Sequence, residues 1–127
     1  MMSNSGILSA YQQTSAQGAS PVGLVLSLYD TIIRDFRRAD AALTHGDVET
    51  RVSELNHALV VIAHLQSVLD FERGADAAKR FNSFYEVTRG MILSANVDAS
   101  RGTLQKLIEM YSSMRQAWQQ TELKSTK

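Results

Sequence analysis

Apolar residues along the chain fall into four long segments with helical spacing, separated by short polar turns. The first segment follows Ser20, a residue type that caps helices, and Pro21, which suits the first helical position. Its main apolar stripe recurs at alternating intervals of four and three residues: Val25, Tyr29, Ile32, Phe36, Ala39 and Leu43. This spacing keeps the stripe on one face of a helix that packs at a shallow angle in a bundle. A helix from Ser20 to about Thr44 is therefore predicted.

Three further helices are predicted from the remaining segments. Gly46 suits a left-handed helix end, and Asp47 can cap a second helix that ends near Asp70. The core stripe of the second helix is Val48, Val52, Leu55, Leu59, Ile62 and Leu69. A turn over residues 72–76 separates it from a third helix, which ends at Asn96. The third core stripe is Ala77, Phe81, Tyr85, Thr88, Ile92 and Ala95.

The last helix is capped by Asp98 or Ser100, and the chain ends in a polar tail. Its core stripe is Leu104, Leu107, Ile108, Tyr111, Met114 and Trp118. Four long helices joined by short loops predict an all-α fold, an antiparallel up-and-down four-helix bundle with a short N-terminal arm or helix. We assign residues 1–19 to the arm, 20–121 to the bundle and 122–127 to the tail. A glycine inside the third helix, Gly90, is expected to mark a close helix approach or a bend.

Two sets of apolar residues lie outside these stripes. The first two turns of the first helix carry Val22, Leu24, Leu26 and Leu28, and the second helix has the row Ala58, Val61, Leu65 and Val68. The polar face of the first helix begins only later, with Arg34, Asp35, Arg37, Arg38 and Asp40. The second helix is therefore expected either to lie centrally in the bundle or to face a partner.

Composition narrows the classes of function. The 127 residues include 13 basic and 13 acidic side chains, so the formal net charge is zero and no overall field attracts nucleic acid or an anionic membrane. The chain has no cysteine, which fits a reducing cytoplasm. The first residues lack the basic stretch and apolar run of a signal peptide, and no segment reaches the roughly 20 apolar residues that span a bilayer. We expect a soluble protein without membrane insertion.

Two histidine patterns are candidates for chemistry. Glu54 and His57 have the E-x-x-H spacing of di-iron bundles, but the chain has no second such pair, so a metal site is not predicted. His64 invites comparison with phosphotransfer domains, although the lysine and glycine that follow their reactive histidine are absent here. We expect boundary histidines, no metal, no cofactor and no enzyme activity.

The N-terminal arm is polar except for Ile7, Leu8 and Tyr11, whose spacing fits one helical turn. Its polar composition is typical of disorder, whereas these three apolar residues could dock on the bundle. The residues alone leave open whether the arm is disordered or docked on the bundle.

Five local patterns occur in order and span almost the whole chain. They are Ser5-Gly6-Ile7 with Ala10-Tyr11-Gln12-Gln13, Ala19-Ser20-Pro21 leading to Leu28-Tyr29-Asp30, Gly46-Asp47, Leu69-Asp70, and Ala117-Trp118. Together they resemble the FliS family of flagellar secretion chaperones. A sixth, Phe84-Tyr85-Glu86 followed by Ala95-Asn96, resembles the family less closely. The chain departs from the family in having Thr31 where glycine is usual.

This resemblance implies a function in flagellar assembly. The family binds the C-terminal segment of flagellin, prevents its premature polymerisation and delivers it to the flagellar type III export gate. It also implies that the N-terminal arm covers part of the client groove when flagellin is absent. An apolar groove between helices would take an amphipathic client segment, which folds as it binds.

Apolar residues outside the core stripes, together with Tyr29 and Asp30, are the candidates for the groove. We predict that the client contacts Leu24, Leu28, Tyr29, Asp30, Val61, Leu65, Val68 and Met91, with Ile7, Leu8 and Tyr11 as the cover. The predicted protein is a monomer in the cytoplasm, with a weak homodimer left open. Two alternatives remain: a self-associating adaptor bundle without an unfolded client, and a phosphotransfer domain acting through His64.

Overall fold

A computed structural model of the chain describes residue 10 and residues 21–125, with side chains described for residue 10 and for 22–120. Within this part the chain forms four helices: α1 (Pro21–Thr44), α2 (Val48–Ser67), α3 (Phe71–Asp98) and α4 (Arg101–Ser125). Helix α1 packs most extensively against α2 and α4, and α3 closes the bundle by packing on the same two helices. The predicted all-α antiparallel four-helix bundle is confirmed.

The turns follow the capping residues of the sequence. Gly46 adopts a left-handed φ of 72°, as predicted for the end of α1. The carboxylate of Asp47 accepts a hydrogen bond from the Thr50 amide at 3.1 Å and so caps α2. Ser100, one of two predicted caps for α4, accepts from the Thr103 amide at 3.2 Å. The predicted cap of α1, Ser20, lies outside the described residues.

Helix α3 begins earlier than the sequence predicts. Asp70 caps it by accepting from the Arg73 amide at 3.0 Å, so the turn predicted over residues 72–76 is wrong as a boundary. A break does occur inside that range, because Ala75 has φ 43° and ψ −118°. The helix also extends beyond the predicted end at Asn96 and stops where Ala99 adopts a left-handed φ of 51°.

Burial on α2 differs from the predicted single stripe. Leu55, Ile62 and Leu69 are buried as expected, but Val48 is exposed. Three members of the second apolar row are buried as well: Ala58, Val61 and Leu65. Because α2 packs against both α1 and α3, two adjoining rows of its surface are covered.

Two glycines differ from their expected roles. At Gly90 no described residue lies within 4 Å of where a Cβ would be, so of the two predicted roles the close helix approach is wrong. The non-helical residue of α3 is Ala75, not one near Gly90. A close approach occurs instead at Gly74, which is buried. The close approach is therefore between the start of α3 and Ala10.

Aromatic side chains from α1, α3 and α4 meet in the centre of the bundle. Phe81 stacks on Trp118 with ring centroids 5.2 Å apart, and Phe36 lies edge-on to Tyr111 at 5.5 Å. Buried hydroxyl groups pair with one another: the Tyr29 and Tyr85 oxygens are 2.8 Å apart, and those of Thr88 and Tyr111 are 2.7 Å apart. These pairs satisfy polar groups that would otherwise be costly to bury.

Tyr111 makes stability depend on alkaline pH. Burial, with a further contribution from Tyr29, raises the pKa of Tyr111 far above its usual value of 10.0. In the unfolded chain the hydroxyl loses its proton near pH 10, whereas in the folded chain it keeps it. The free energy of unfolding should therefore fall by about 1.4 kcal/mol per pH unit above pH 10 through this group.

Melting curves recorded between pH 8 and 11.5 test this expectation. Above pH 10, the free energy of unfolding should fall less steeply with pH in the Tyr111→Phe variant than in the wild type. The expected difference in slope is that of one proton, about 1.4 kcal/mol per pH unit. An unchanged slope would show that Tyr111 does not resist ionisation in the folded chain. The comparison uses slopes because the variant also loses its hydrogen bond to Thr88.

Candidate client-binding surface

Two polar contacts define how α1 and α2 lie side by side. His57 Nδ1 on α2 is 2.5 Å from Asp35 Oδ2 on α1, and Arg38 is 3.8 Å from Glu54. Because the two helices are antiparallel and have the same rise per residue, an earlier residue of α1 lies level with a residue of α2 that is later by the same number of positions. The register brings Leu24 level with Val68, beyond the ion pairs. The α1–α2 seam is thus polar in one half and apolar in the other.

The apolar half of the seam contains five of the predicted groove residues. Leu24, Leu28 and Val68 are partly exposed, and the last two pack against the core. Val61 and Leu65 are buried in the free chain. The accessible walls of this surface, which we call the apolar seam, are therefore Leu24, Leu28 and Val68.

Three other predicted contact residues lie elsewhere. Tyr29 is fully buried and its hydroxyl pairs with Tyr85. Asp30 is exposed and binds Arg115 of α4, on a different side of α1. Because successive helical residues are roughly 100° apart, the consecutive residues Leu28, Tyr29 and Asp30 cannot share one face. The structure does not bring Tyr29 and Asp30 to the apolar seam.

Met91 is also separated from the seam. It is partly buried on α3 and lies two turns after Phe84, whose ring is 5.0 Å from that of Tyr111 on α4. Residues seven apart on a helix share a face. Met91 therefore lies on the face of α3 that meets α4, away from α1 and α2.

The predicted cover of the groove falls on residues outside the described part of the chain, since Ile7, Leu8 and Tyr11 are not among them. One residue of the arm, Ala10, is described, and it is fully buried. Its carbonyl oxygen accepts a hydrogen bond from the Asp70 amide at 2.8 Å.

Gly74 explains how Ala10 can lie so close to the bundle. A Cβ at Gly74 would be 2.8 Å from the Ala10 Cα, a distance that real Cβ atoms essentially never show. Asp70 and Gly74 lie two and six residues after Val68 in the chain, which is at the apolar end of the seam. The arm is therefore anchored at Ala10 beside the surface that it was predicted to cover.

Exposed apolar residues on α2 and α3 were missed by the sequence reasoning. Val60, Leu93 and Val97 expose 66%, 50% and 84% of their surface. They belong to neither the core stripes nor the second row of α2. An apolar residue outside these sets was the signal in the sequence that could have identified them as exposed. Gln66 on α2 bonds Asn82 on α3 at 3.1 Å, so the two helices run side by side here.

Asp35 was predicted on the polar face of α1, and that prediction is wrong. Its side chain is fully buried, and the carboxylate is held by His57, which is half exposed. Arg34 approaches the other carboxylate oxygen only to 3.8 Å. A buried carboxylate is tolerated when it is hydrogen-bonded and near positive charge. His57 is therefore a structural partner that joins α1 to α2.

Replacing His57 by alanine should leave this buried carboxylate without its hydrogen bond. The expected loss is about 2–4 kcal/mol in the free energy of unfolding, measured by urea denaturation. His64→Ala on the same helix is the matched control, because His64 is exposed, and its effect should stay within about 0.5 kcal/mol. Equal effects of the two changes would contradict the structural role of His57.

Metal chemistry finds no support in the described residues. Glu54 and His57, the E-x-x-H pair, bind Arg38 and Asp35 instead. No group of three or more metal-binding side chains occurs in the part of the chain that the structure describes. No described helix is both long and apolar enough to cross a membrane.

Comparisons with known proteins agree with the resemblance in the sequence. A family model described as "Flagellar protein FliS" matches residues 3–125. Three similar proteins are each named flagellar secretion chaperone FliS. That of Campylobacter jejuni is 26% identical, covering 98% of both chains. That of Salmonella typhimurium is 29% identical, covering 99% of this chain and 96% of its own. That of Vibrio cholerae is 30% identical, covering 91% and 88%.

Proposed function

We propose a function for this chain on the basis that it belongs to the FliS family of flagellar secretion chaperones. In this proposal the chain binds the C-terminal segment of flagellin in the cytoplasm, prevents premature polymerisation of flagellin and delivers it to the flagellar export gate. Membership of this family makes the protein a chaperone rather than an enzyme.

The apolar seam is the observation that supports this proposal. Leu24, Leu28 and Val68 keep part of their apolar surface exposed in the free chain. An amphipathic helix can place side chains at positions i, i+3, i+4 and i+7 in such a seam. The client is disordered before it binds, so burial of its apolar face here offsets the entropy lost on folding. Val61 and Leu65, buried beneath, form the floor of the seam.

The ion pairs at the other half of the seam limit where the client can lie. His57 and Asp35, with Arg38 and Glu54, already connect α1 to α2 there. A client segment entering from the apolar end would meet these contacts after Leu28. The proposed site therefore ends near the middle of the bundle.

Ala10 supports a role for the arm. It is buried, and its carbonyl accepts from the amide of Asp70, two residues after Val68. An arm that covers the apolar seam lowers the apparent client affinity by the fraction of molecules in which the seam is open. Displacement of Ile7, Leu8 and Tyr11 by flagellin would then expose the client site only when a client is present.

The experiment that tests this function mixes the purified full-length chain with monomeric flagellin. Flagellin lacking its C-terminal segment is the negative control, and flagellin lacking its N-terminal segment is the matched positive control. Isothermal titration calorimetry should show binding to the whole and N-terminally shortened proteins alone. Because the contacts are apolar, raising the salt to about 0.5 M should change the affinity little. Binding that does not require the C-terminal segment overturns the proposal.

The mass of the free chain decides between this function and the self-associating adaptor. We propose that the free chain is a monomer. Light scattering that shows a stable dimer, together with absence of a flagellin complex, would favour the adaptor. Labelling of His64 by a phosphodonor kinase would favour the phosphotransfer alternative.

A further inference from the structure

An open groove of about 560 Å³ runs along the outer side of the bundle between α1 and α4. Four arginines line it: Arg34, Arg37 and Arg38 from α1, and Arg115 from α4. Ile33 and Ala41 contribute apolar surface. We call this surface the outer groove.

The outer groove is strongly basic in a chain whose formal net charge is zero. Four of the 13 basic residues of the sequence line it, whereas Asp30 is the one acidic residue among the described residues that line it. Asp30 is already bound to Arg115 through two nitrogens of the guanidinium group. That hydrogen bond is also the main reason that the pKa of Arg115 is raised.

The other three arginines make no hydrogen bond to an acidic side chain of residues 22–120. Arg34 and Arg38 approach Asp35 and Glu54 only to 3.8 Å, which is too long for a hydrogen bond. Arg37 is exposed and makes no ion pair within residues 22–120. Positive charges three and four residues apart on a helix repel one another, so an anion bound between them is favoured.

We infer that the outer groove is a docking surface for an acidic peptide segment of a partner protein. The guanidinium group is a planar fork that matches a carboxylate, and Arg115 with Asp30 shows that geometry within the groove itself. Ala41, which is exposed, suits an apolar side chain of such a segment. A nucleic acid is less well matched, because Asp30 interrupts the basic surface and the chain as a whole carries no positive field.

The outer groove is separate from the apolar seam. Leu28 belongs to the seam and Asp30 to the groove, and positions two apart on a helix point about 200° apart. Both surfaces can therefore be occupied at once. A partner in the outer groove would recognise the chaperone without displacing its client.

The test uses the full-length chain and a fluorescein-labelled 15-residue peptide. The peptide carries glutamates at intervals of four and three residues beside a row of leucines and alanines. A control peptide has glutamine in place of each glutamate. Fluorescence anisotropy should detect binding of the acidic peptide alone, and binding should weaken between about 50 mM and 0.5 M salt.

Arg37→Glu is the deciding variant because Arg37 has no ion pair with any of residues 22–120 to lose. It should weaken peptide binding about tenfold or more, the size of one lost charge-assisted hydrogen bond. Arg89→Glu is the matched control, since it changes the net charge equally at an exposed position of α3 outside the groove. Its affinity should stay within about twofold of the wild type, and both variants should keep the wild-type circular dichroism spectrum.

Four results would overturn the inference. The first is that the acidic peptide does not bind, and the second is that Arg37→Glu and Arg89→Glu weaken peptide binding equally. The third is that an oligo-dT strand or anionic vesicles bind more tightly than the peptide. The fourth is that Arg37→Glu abolishes flagellin binding. The last would assign the outer groove to the client path. Failure of flagellin binding in the wild type would instead overturn the proposed function and leave the peptide result standing.

Discussion

Replacing Leu24 or Val68 by aspartate is expected to weaken flagellin binding about 30-fold or more while lowering the melting temperature by only a few degrees. Both side chains are partly exposed in the free chain, so a carboxylate there can still reach water. In the complex it would face the apolar side of the client without a partner. Loss of one such apolar contact, about 2 kcal/mol, corresponds to about 30-fold in affinity. Calorimetric titration and thermal denaturation measure the two effects separately.

Two control variants make this prediction specific. Phe36→Asp should unfold the domain, because Phe36 is fully buried against Tyr111 and an unpaired carboxylate there costs several kcal/mol. Val87→Asp introduces the same charge at an exposed valine of α3 and should leave both quantities unchanged. If Leu24→Asp and Val68→Asp unfold the chain as Phe36→Asp does, or leave flagellin binding intact, the apolar seam is not the client site.

Replacing Gly74 by alanine should release the arm and speed flagellin association. The added Cβ would lie 2.8 Å from the Ala10 Cα, and backbone at that distance must move away. If the arm covers the seam in about 90% of free molecules, its release raises the association rate up to about tenfold. Overpacking should also lower the free energy of unfolding by about 1–3 kcal/mol. Stopped-flow fluorescence gives the rates, and urea denaturation gives the stability.

Gly90→Ala is the matched control for this change. Nothing lies within 4 Å of a Cβ at Gly90, so the substitution should not alter association and should stabilise α3 slightly. A Cβ at Gly74 would also lie 2.9 Å from the Ala78 Cβ, and adding Ala78→Gly removes that second clash. The double variant should keep the faster association.

Deletion of residues 1–18 provides an independent check on the same mechanism. It should speed association as Gly74→Ala does and leave the helical content of the bundle nearly unchanged. Faster dissociation of flagellin, without faster association, would mean that the arm closes over a bound client instead. Unchanged rates in both directions would exclude any role for the arm.

Local sequence signals were sufficient for most of the helix framework. The caps Asp47 and Ser100 and the left-handed Gly46 act within one turn of the chain, so their residue types alone predict where helices begin and end. The apolar spacing of α1 and α4 likewise identifies a buried face. The family patterns are also local, so residue types and their order along the chain suffice to indicate the chaperone family.

Burial at single positions required the tertiary structure. Asp35 resembles its polar neighbours in sequence, yet it is fully buried because His57 of another helix approaches it. Three members of the second row of α2 are buried because α2 has packed neighbours on two sides. Periodicity reports which residues share a face, but it contains no information about how many faces will be covered.

The surfaces that carry the proposals were decided by residues far apart in the chain. Ala10 meets Gly74, and Asp30 on α1 meets Arg115 on α4. The sequence analysis placed Leu28, Tyr29 and Asp30, which are consecutive in a family pattern, in one client site. On a helix, three consecutive residues point in three directions, and only the packing of α1 between α2 and α4 determines that Leu28 lies at the seam, Tyr29 in the core and Asp30 in the outer groove.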